Sequence, residues 1–367
     1  MSFIPVIKNE NENALSTPSL REQVDLVNMP IEARLDKLRN MIAWHPKMFD
    51  IWSTIEECHK NQVSSTESNC MSLLGEPRTG KSTIAEQYVK KHPRYDLSEQ
   101  SIQMYGHNSK VLVDITKVPI IYSVIDSPAS AGAILDGLAR SLGLPPFPPK
   151  EKNKRKSEAL QTMMERCGVE LIILDEIHNL LDPKSKLLLA EPTEFLKTFI
   201  IQMNLPVLVI GIPDADKMYD NEQLSGRFLF REELTPFNYN DPKDCYDFQK
   251  VLAKIDSNLP LREESCLSED GIWERILLAC NGKFAYCMFL IKKSAQIALK
   301  AHSERITIPT LAQVYDRHLR ALAHCEGNPF DLDFPLDDAL GRIPSKANNS
   351  NCQGPSTNRR MNSKKKH

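Results

Sequence analysis

The sequence predicts an α/β fold: a mostly parallel, doubly wound sheet of five strands, followed by a bundle of helices. Three observations predict it. Gly75-Glu76-Pro77-Arg78-Thr79-Gly80-Lys81-Ser82 has the spacing G-x-x-x-x-G-K-[ST] and lies between a short apolar run and a helical stretch. Glu170-Leu171-Ile172-Ile173-Leu174-Asp175-Glu176 is an apolar run ending in two carboxylates, the pattern of a buried strand with an acidic C-terminal edge. Strand-length apolar runs alternate with helical patterns as far as Leu234, and only helical patterns follow.

The elements follow in order. Residues 1–28 are polar and are expected to be a flexible N-terminus. Residues 29–60 predict helices. Ile31, Leu35, Leu38 and Ile42 recur at helical spacing, Trp44-His45-Pro46 breaks the run, and Met48, Ile51, Trp52 and Ile55 resume it. Residues 61–240 predict the α/β core, opening on a Ser/Thr/Asn loop at 61–69. Its strands are expected at Cys70–Leu74, Val118–Ile125, Glu170–Asp175, Leu205–Gly211 and Phe228–Leu234. The last is the least apolar, which suits a sheet edge.

Between the strands, a helix over Ser82–Val89 stops at His92-Pro93, and residues 94–119 read as irregular. A helix over Ala131–Leu142 ends at Gly143, and Leu144-Pro145-Pro146-Phe147-Pro148-Pro149 is a stiff spacer. The basic run Lys150, Lys152, Lys154, Arg155, Lys156 then precedes a helix expected over Ser157–Cys167. Residues 241–326 predict a helical lid, with starts at Asp241-Pro242, Ser268-Glu269-Asp270, Phe284 and Thr307-Ile308-Pro309. Residues 327–367 are expected to be a mostly disordered tail, poor in apolar residues beyond Pro344 and ending Lys364-Lys365-Lys366.

The two motifs imply nucleotide chemistry. Glycine lets the backbone turn tightly enough to aim successive N–H groups, from Gly75 through Thr83, at phosphate oxygens. The helix N-terminus adds a dipole that favours anions. Lys81 is placed to meet the β/γ-phosphates, and Ser82 to ligate Mg²⁺. Asp175 would hold the same ion through water, and Glu176 would orient or deprotonate the attacking water.

Composition narrows the class. Hydrophobic residues at 41% and charged residues at 26% describe a soluble globular protein. A net charge of −2 gives no global attraction to nucleic acid, so any DNA contact must come from a local patch. The nine cysteines form no C-x-x-C pair, which predicts a reducing compartment and no zinc site. No apolar stretch reaches membrane-span length and the N-terminus lacks a signal-peptide pattern, so no membrane partner and a cytoplasmic location are expected.

A sheet domain followed by a helical lid is similar to the layout of AAA+ ATPases. The details resemble the TniB/TnsC family of transposition regulators, which serve Tn-type and CRISPR-associated transposons. The resemblance rests on Leu38 to Pro46, the phosphate loop, Tyr122 to Pro128, Ile134 to Leu144, and Asp175-Glu176-Ile177-His178-Asn179-Leu180-Leu181. It continues through Pro206 to Ala215, Leu224-Ser225-Gly226-Arg227-Phe228 and Gly327-Asn328-Pro329-Phe330. It implies an ATP- and Mg²⁺-dependent ATPase that assembles head to tail, as rings or helical filaments, on double-stranded DNA. Such a protein links a TniQ-like target selector, in some cases guide-RNA-directed, to a DDE transposase.

The family's trans-acting arginine maps onto Arg227, with Arg231 as the fallback. Its DNA contacts point to Lys110 and Lys117, and the basic run Lys150, Lys152, Lys154, Arg155, Lys156 is a second candidate. Three positions depart from the pattern: Arg78 where glycine is common, Ile212 where a polar residue is expected, and Lys283 near the place of a nucleotide-sensing arginine. Two other classes carry such a core, a replication initiator or clamp-loading ATPase and a STAND-like signalling ATPase. The first is expected to carry a DNA-reading domain after the lid, and the second repeat or effector domains.

Overall fold

The computed structural model describes residue 26 and residues 28–60, 70–96, 116–181, 189–220, 225–322 and 326–342. The chain runs α1 (Ile31–Asn40), α2 (Pro46–Lys60), β1 (Cys70–Leu74), α3 (Lys81–Lys91), β2 (Tyr95–Asp96), β3 (Thr116–Lys117) and β4 (Ile120–Val124). It continues α4 (Ala131–Leu142), α5 (Asn153–Cys167), β5 (Leu171–Asp175), α6 (Ala190–Met203), β6 (Val207–Gly211) and β7 (Phe228–Glu233). The lid is α7 (Pro242–Ser257), α8 (Trp273–Cys280), α9 (Phe284–Lys300) and α10 (Ile308–Val314), and α11 (Leu336–Gly341) follows.

Five strands form one parallel sheet in the order β4-β5-β6-β1-β7. The three central strands are buried along their whole length. Side chains alternate between the two faces, as the period of a strand requires. Met71, Leu73, Ile173, Leu208 and Ile210 meet α2, α3 and the lid on one face. Ile121, Ile172, Leu174, Val207 and Val209 meet α4, α5 and α6 on the other. Helices on both faces make the sheet doubly wound. The chain leaves β1, returns through β4, β5 and β6 on one side, and places β7 on the other. That switch beside β1 opens a crevice at the C-terminal edge of the strands, where open α/β sheets bind ligands.

The N-terminal helices join core to lid. From α2, Ile51, Trp52 and Ile55 pack in the same core as the β1 residues Met71 and Leu73. At the start of α2, the Lys47 ammonium stands 2.8 Å from Asp244 Oδ1 in α7. From α1, buried Arg34 donates to Pro260 O at 2.7 Å and to Glu304 Oε2 at 2.5 Å, both in the lid. His45, between α1 and α2, packs edge-on against Phe237 and Phe284, with ring centroids 5.0 and 4.7 Å away. Burial pushes its pKa down to about 3.

Several expected boundaries move. The helix expected from Ser157 begins at Asn153, so Lys154, Arg155 and Lys156 occupy its first turn. Two short strands, β2 and β3, pair antiparallel within the stretch expected to be irregular. The helix expected from Ser268 begins at Trp273, and α10 passes at Tyr315 into a π-turn rather than continuing to Ala323. The tail boundary at 327 also shifts, because the segment is anchored to the lid. Asn328 and Phe330 are buried. The Asn328 amide donates to Ala312 O at 3.2 Å, its Oδ1 accepts the Phe330 N–H at 2.9 Å, and Phe330 lies edge-on to Tyr315. Residues 343–367 and nearly all of 1–28 lie outside the described residues. No described helix is long and apolar enough to cross a membrane.

Candidate functional site

The phosphate loop sits in the crevice at the end of β1. The Gly75 N–H donates to Gly211 O at the end of β6, at 3.2 Å. A Cβ on Gly75 would stand 2.3 Å from Leu234 O, so only glycine permits this close approach. Gly80 caps α3 with φ +113°, a conformation that favours glycine. Arg78 adopts φ +71° without being glycine. Its carbonyl accepts the Ala285 N–H from the lid at 3.0 Å, and that bond ties the strained position down.

The first helical bond of α3 runs from the Ile84 N–H to Gly80 O. By helix geometry the N–H groups of Lys81, Ser82 and Thr83 precede it and point out of the helix end, as an anion cradle requires. The Lys81 ammonium lies inside the loop and donates to Gly75 O at 2.8 Å and Glu76 O at 2.7 Å. Burial pulls its pKa down, and the carboxylates of Asp175, Glu176 and Glu76 act against that. The Thr79 hydroxyl closes the loop by donating to Glu76 O at 2.9 Å.

The acidic pair reaches this loop from β5, two strands away. Asp175 Oδ2 accepts the Ser82 hydroxyl at 2.8 Å and the Tyr122 hydroxyl at 2.7 Å. Asp175 Oδ1 accepts the Glu176 N–H at 2.7 Å. A serine hydroxyl beside a buried carboxylate is a hard-oxygen donor set that suits Mg²⁺ shared with phosphates. Glu176 has φ +58°, which turns its side chain away from the strand direction. His178 Nδ1 stands 3.1 Å from Glu176 Oε2, within ion-pair reach but not aligned as a hydrogen bond.

Sequence reasoning gave Tyr122 no role at the site; its signal was a lone hydroxyl in the middle of an apolar strand. It also left Glu76 without a partner. The Lys283 ammonium of the lid sits 3.0 Å from Glu76 Oε2, so the lid touches the phosphate loop by a charge pair as well as by the Ala285 amide. Ile212 directly follows β6 and brings no polar group there.

Arg227 lies at the other end of the sheet. Its carbonyl accepts the Cys70 N–H at the start of β1. β1 and β7 are parallel, so Arg227 is a strand length, roughly 16 Å, from the end of β1 that carries the loop. The fallback Arg231 is held locally: it donates to Phe228 O at 3.1 Å and Ser225 Oγ at 2.8 Å, and stacks over the Tyr219 ring.

The basic candidates separate into two places. Lys110 lies outside the described residues. Lys117, in β3, donates to Arg166 O at 3.0 Å near the C-terminus of α5. Lys150, Lys152 and Lys154 are exposed at the N-terminus of α5, with Arg155 3.8 Å from Glu151. The two groups are thus a helix length apart, about 22 Å for 15 residues. Lys156 is a correction to the expected DNA-contacting run. It is 6% exposed, its ammonium is 2.9 Å from Asp136 Oδ1, and it lies over the Phe147 ring. Helical periodicity turns that one lysine inward while its neighbours face solvent.

Comparison with known proteins agrees with this geometry. A family model described as bacterial TniB protein matches residues 34–237, more than half of the chain. No curated protein sequence matches the chain. Among solved structures, the Aeropyrum pernix ORC1 protein in complex with DNA is similar at 17% identity and TM-score 0.53, over 75% of this chain and 66% of that one. The Aeropyrum pernix ORC2 protein in ADPNP–ADP complexes is similar at 14% identity and TM-score 0.51, over 76% of this chain and 69% of that one. CDC6P from Pyrobaculum aerophilum is similar at 15% identity and TM-score 0.50, over 75% and 68%. At these identities the likeness is one of fold, that of the AAA+ ATPases.

Proposed function

Because the chain belongs to the TniB family and has the AAA+ fold, we propose that it is a cytoplasmic ATPase regulator of transposition. In this reading it binds ATP with Mg²⁺ and assembles head to tail on double-stranded DNA, linking a TniQ-like target selector to a DDE transposase. The observation that carries the nucleotide part is the meeting of Ser82 and Asp175 at 2.8 Å beside Lys81, which joins two distant motifs at one crevice.

The chain's residues then divide the work. The loop and helix amides bind phosphate oxygens, and Lys81 exchanges its two carbonyl partners for the β/γ-phosphates. Ser82 and Asp175 would hold Mg²⁺, which would supply charge neutralisation of the phosphates. Glu176 takes a proton from the attacking water, and His178 bears on where that carboxylate points. Arg227 is too far from its own loop to act in the same subunit, which supports a role on the nucleotide of a neighbour. DNA contact is assigned to Lys117 and to Lys150, Lys152 and Lys154, acting on phosphates without base reading. Residues 344–367 are assigned to capture of the transposase. The DNA held by the Aeropyrum pernix ORC1 protein, of similar fold, accords with a DNA-bound role.

Electron microscopy of the full chain with duplex DNA and a non-hydrolysable ATP analogue tests this reading. Rings or filaments on DNA that require the nucleotide are expected. Monodisperse protein under those conditions would remove assembly from the proposal. Capture of the cognate transposase by the full chain, lost on deleting residues 344–367 with DNA binding intact, separates the transposition role from that of a replication initiator.

A further inference from the structure

The carboxylate assigned to Mg²⁺ is held by a side chain outside both motifs. Tyr122 stands on β4, adjacent to β5 in the sheet, and its hydroxyl donates to Asp175 Oδ2 at 2.7 Å. The Ser82 hydroxyl donates to the same oxygen at 2.8 Å, and the Glu176 N–H occupies Oδ1 at 2.7 Å. Asp175 is 4% exposed, so bulk water does not compete for these places.

Valence makes this arrangement selective. Each carboxylate oxygen offers about two lone-pair sites near the carboxyl plane. Two hydroxyl donors fill those of Oδ2. One amide takes half of Oδ1, and its other lone pair is the one that would be left to serve a hydrated Mg²⁺. A hydroxyl that ligates a cation through its lone pair still has its hydrogen to give, so the Ser82 bond is compatible with metal binding. Without the Tyr122 donor, the Oδ2 side has a vacant lone pair, and the carboxyl plane is held by one hydroxyl and one amide.

We infer that Tyr122 is a positioning residue that acts through Asp175 to set how tightly Mg²⁺ is taken up with the nucleotide. This inference rests on the nucleotide reading above. Loss of a hydrogen bond that orients a metal's carboxylate typically weakens metal affinity by roughly 10–100-fold. A merely structural role for Tyr122 would disturb nucleotide binding with and without metal alike.

The test is a Mg²⁺ titration of the full chain binding a fluorescent ATP analogue, run for the wild type and Tyr122→Phe, with parallel titrations in EDTA. The phenylalanine ring preserves the packing and removes only the hydroxyl. The half-saturating Mg²⁺ concentration is expected to rise roughly tenfold, with the metal-free nucleotide affinity unchanged. An unshifted Mg²⁺ midpoint overturns the inference, and so does an equal loss of metal-free affinity. The same substitution in an Asp175→Ala background is expected to add nothing further, because the partner is gone. A full additional shift there also overturns it. Should Tyr122→Phe not fold, Tyr122→Leu gives the same comparison. A wild type that binds no ATP analogue sinks the nucleotide reading and this inference together, whereas an unshifted variant of a binding wild type sinks this inference alone.

Discussion

At the scale of single residues, the site separates binding from turnover. Lys81 already sits inside the loop with its ammonium on two carbonyls, so a phosphate inherits a positioned charge and little side-chain entropy remains to be lost. A hydrogen bond to a charged group contributes about 1.5–3 kcal/mol, so Lys81→Ala is expected to weaken ATP binding roughly 10–100-fold. Loss of ATP-dependent thermal stabilisation reads this directly, and unchanged affinity would remove the loop from the site. The Glu176 carboxylate lies against His178 and reaches Lys81 through its charge. Glu176→Gln keeps its shape and removes its basicity, so retained ATP binding is expected with turnover reduced by roughly 10²–10⁴. Phosphate release compared with ATP affinity checks the split. Wild-type turnover in that variant would move the base to another residue.

At the scale of elements, the junction of α2, the core-to-lid linker and α9 is where the lid meets the phosphate loop. His45 fills it as a neutral ring between Phe237 and Phe284, and its folded pKa is lowered from 6.5 to about 3 by burial. The unfolded chain takes up this proton below pH 6.5 and the folded chain does not until about pH 3. Folding stability must therefore fall as pH drops through that window. His45→Phe removes the proton and keeps an aromatic ring of similar breadth. Its urea midpoint is expected to decline less than that of the wild type between pH 6.5 and pH 4. Parallel decline of the two proteins would mean that other groups carry the acid sensitivity.

At the scale of the whole molecule, the sheet puts Arg227 and the phosphate loop at opposite ends of parallel neighbours β7 and β1. Arg227→Ala should then leave ATP binding intact and cut turnover steeply, as should Glu176→Gln. Mixing the two impaired variants creates sites with Glu176 from one subunit and Arg227 from the next. Random head-to-tail pairing in equal amounts predicts recovery at about a quarter of the sites. No recovery on mixing would place both groups in one subunit or end the role of Arg227. The lysines at the start of α5 lie against the positive end of that helix, and no acid in its first turn offsets them. Replacing Lys150, Lys152 and Lys154 together by alanine is expected to flatten log DNA affinity against log salt by up to about 0.9 for each phosphate that a lysine no longer neutralises. An unchanged slope would leave Lys117 and Arg155 as the surviving described candidates.

Much of this was legible in the chain, because it depends on residues close together in sequence. The glycine spacing from Gly75 to Gly80, the apolar run into Asp175-Glu176 and the polar character of Phe228–Glu233 are local patterns. Each corresponds to a local outcome: a tight loop, a buried central strand and an edge strand. Boundaries shifted where tertiary contacts overrode local preference, as at Asn328 and Phe330, whose burial against the lid extends order past 327. What only the tertiary structure decided are partnerships across long sequence separations. Tyr122 meets Asp175, Lys283 meets Glu76, and Lys156 turns inward onto Asp136. These pairings depend on strand order and helix rotation, and periodicity specifies the face of an element but not the neighbour it meets. Arg227 makes the same point at the largest scale: its separation from its own phosphate loop exists only because β7 pairs parallel to β1.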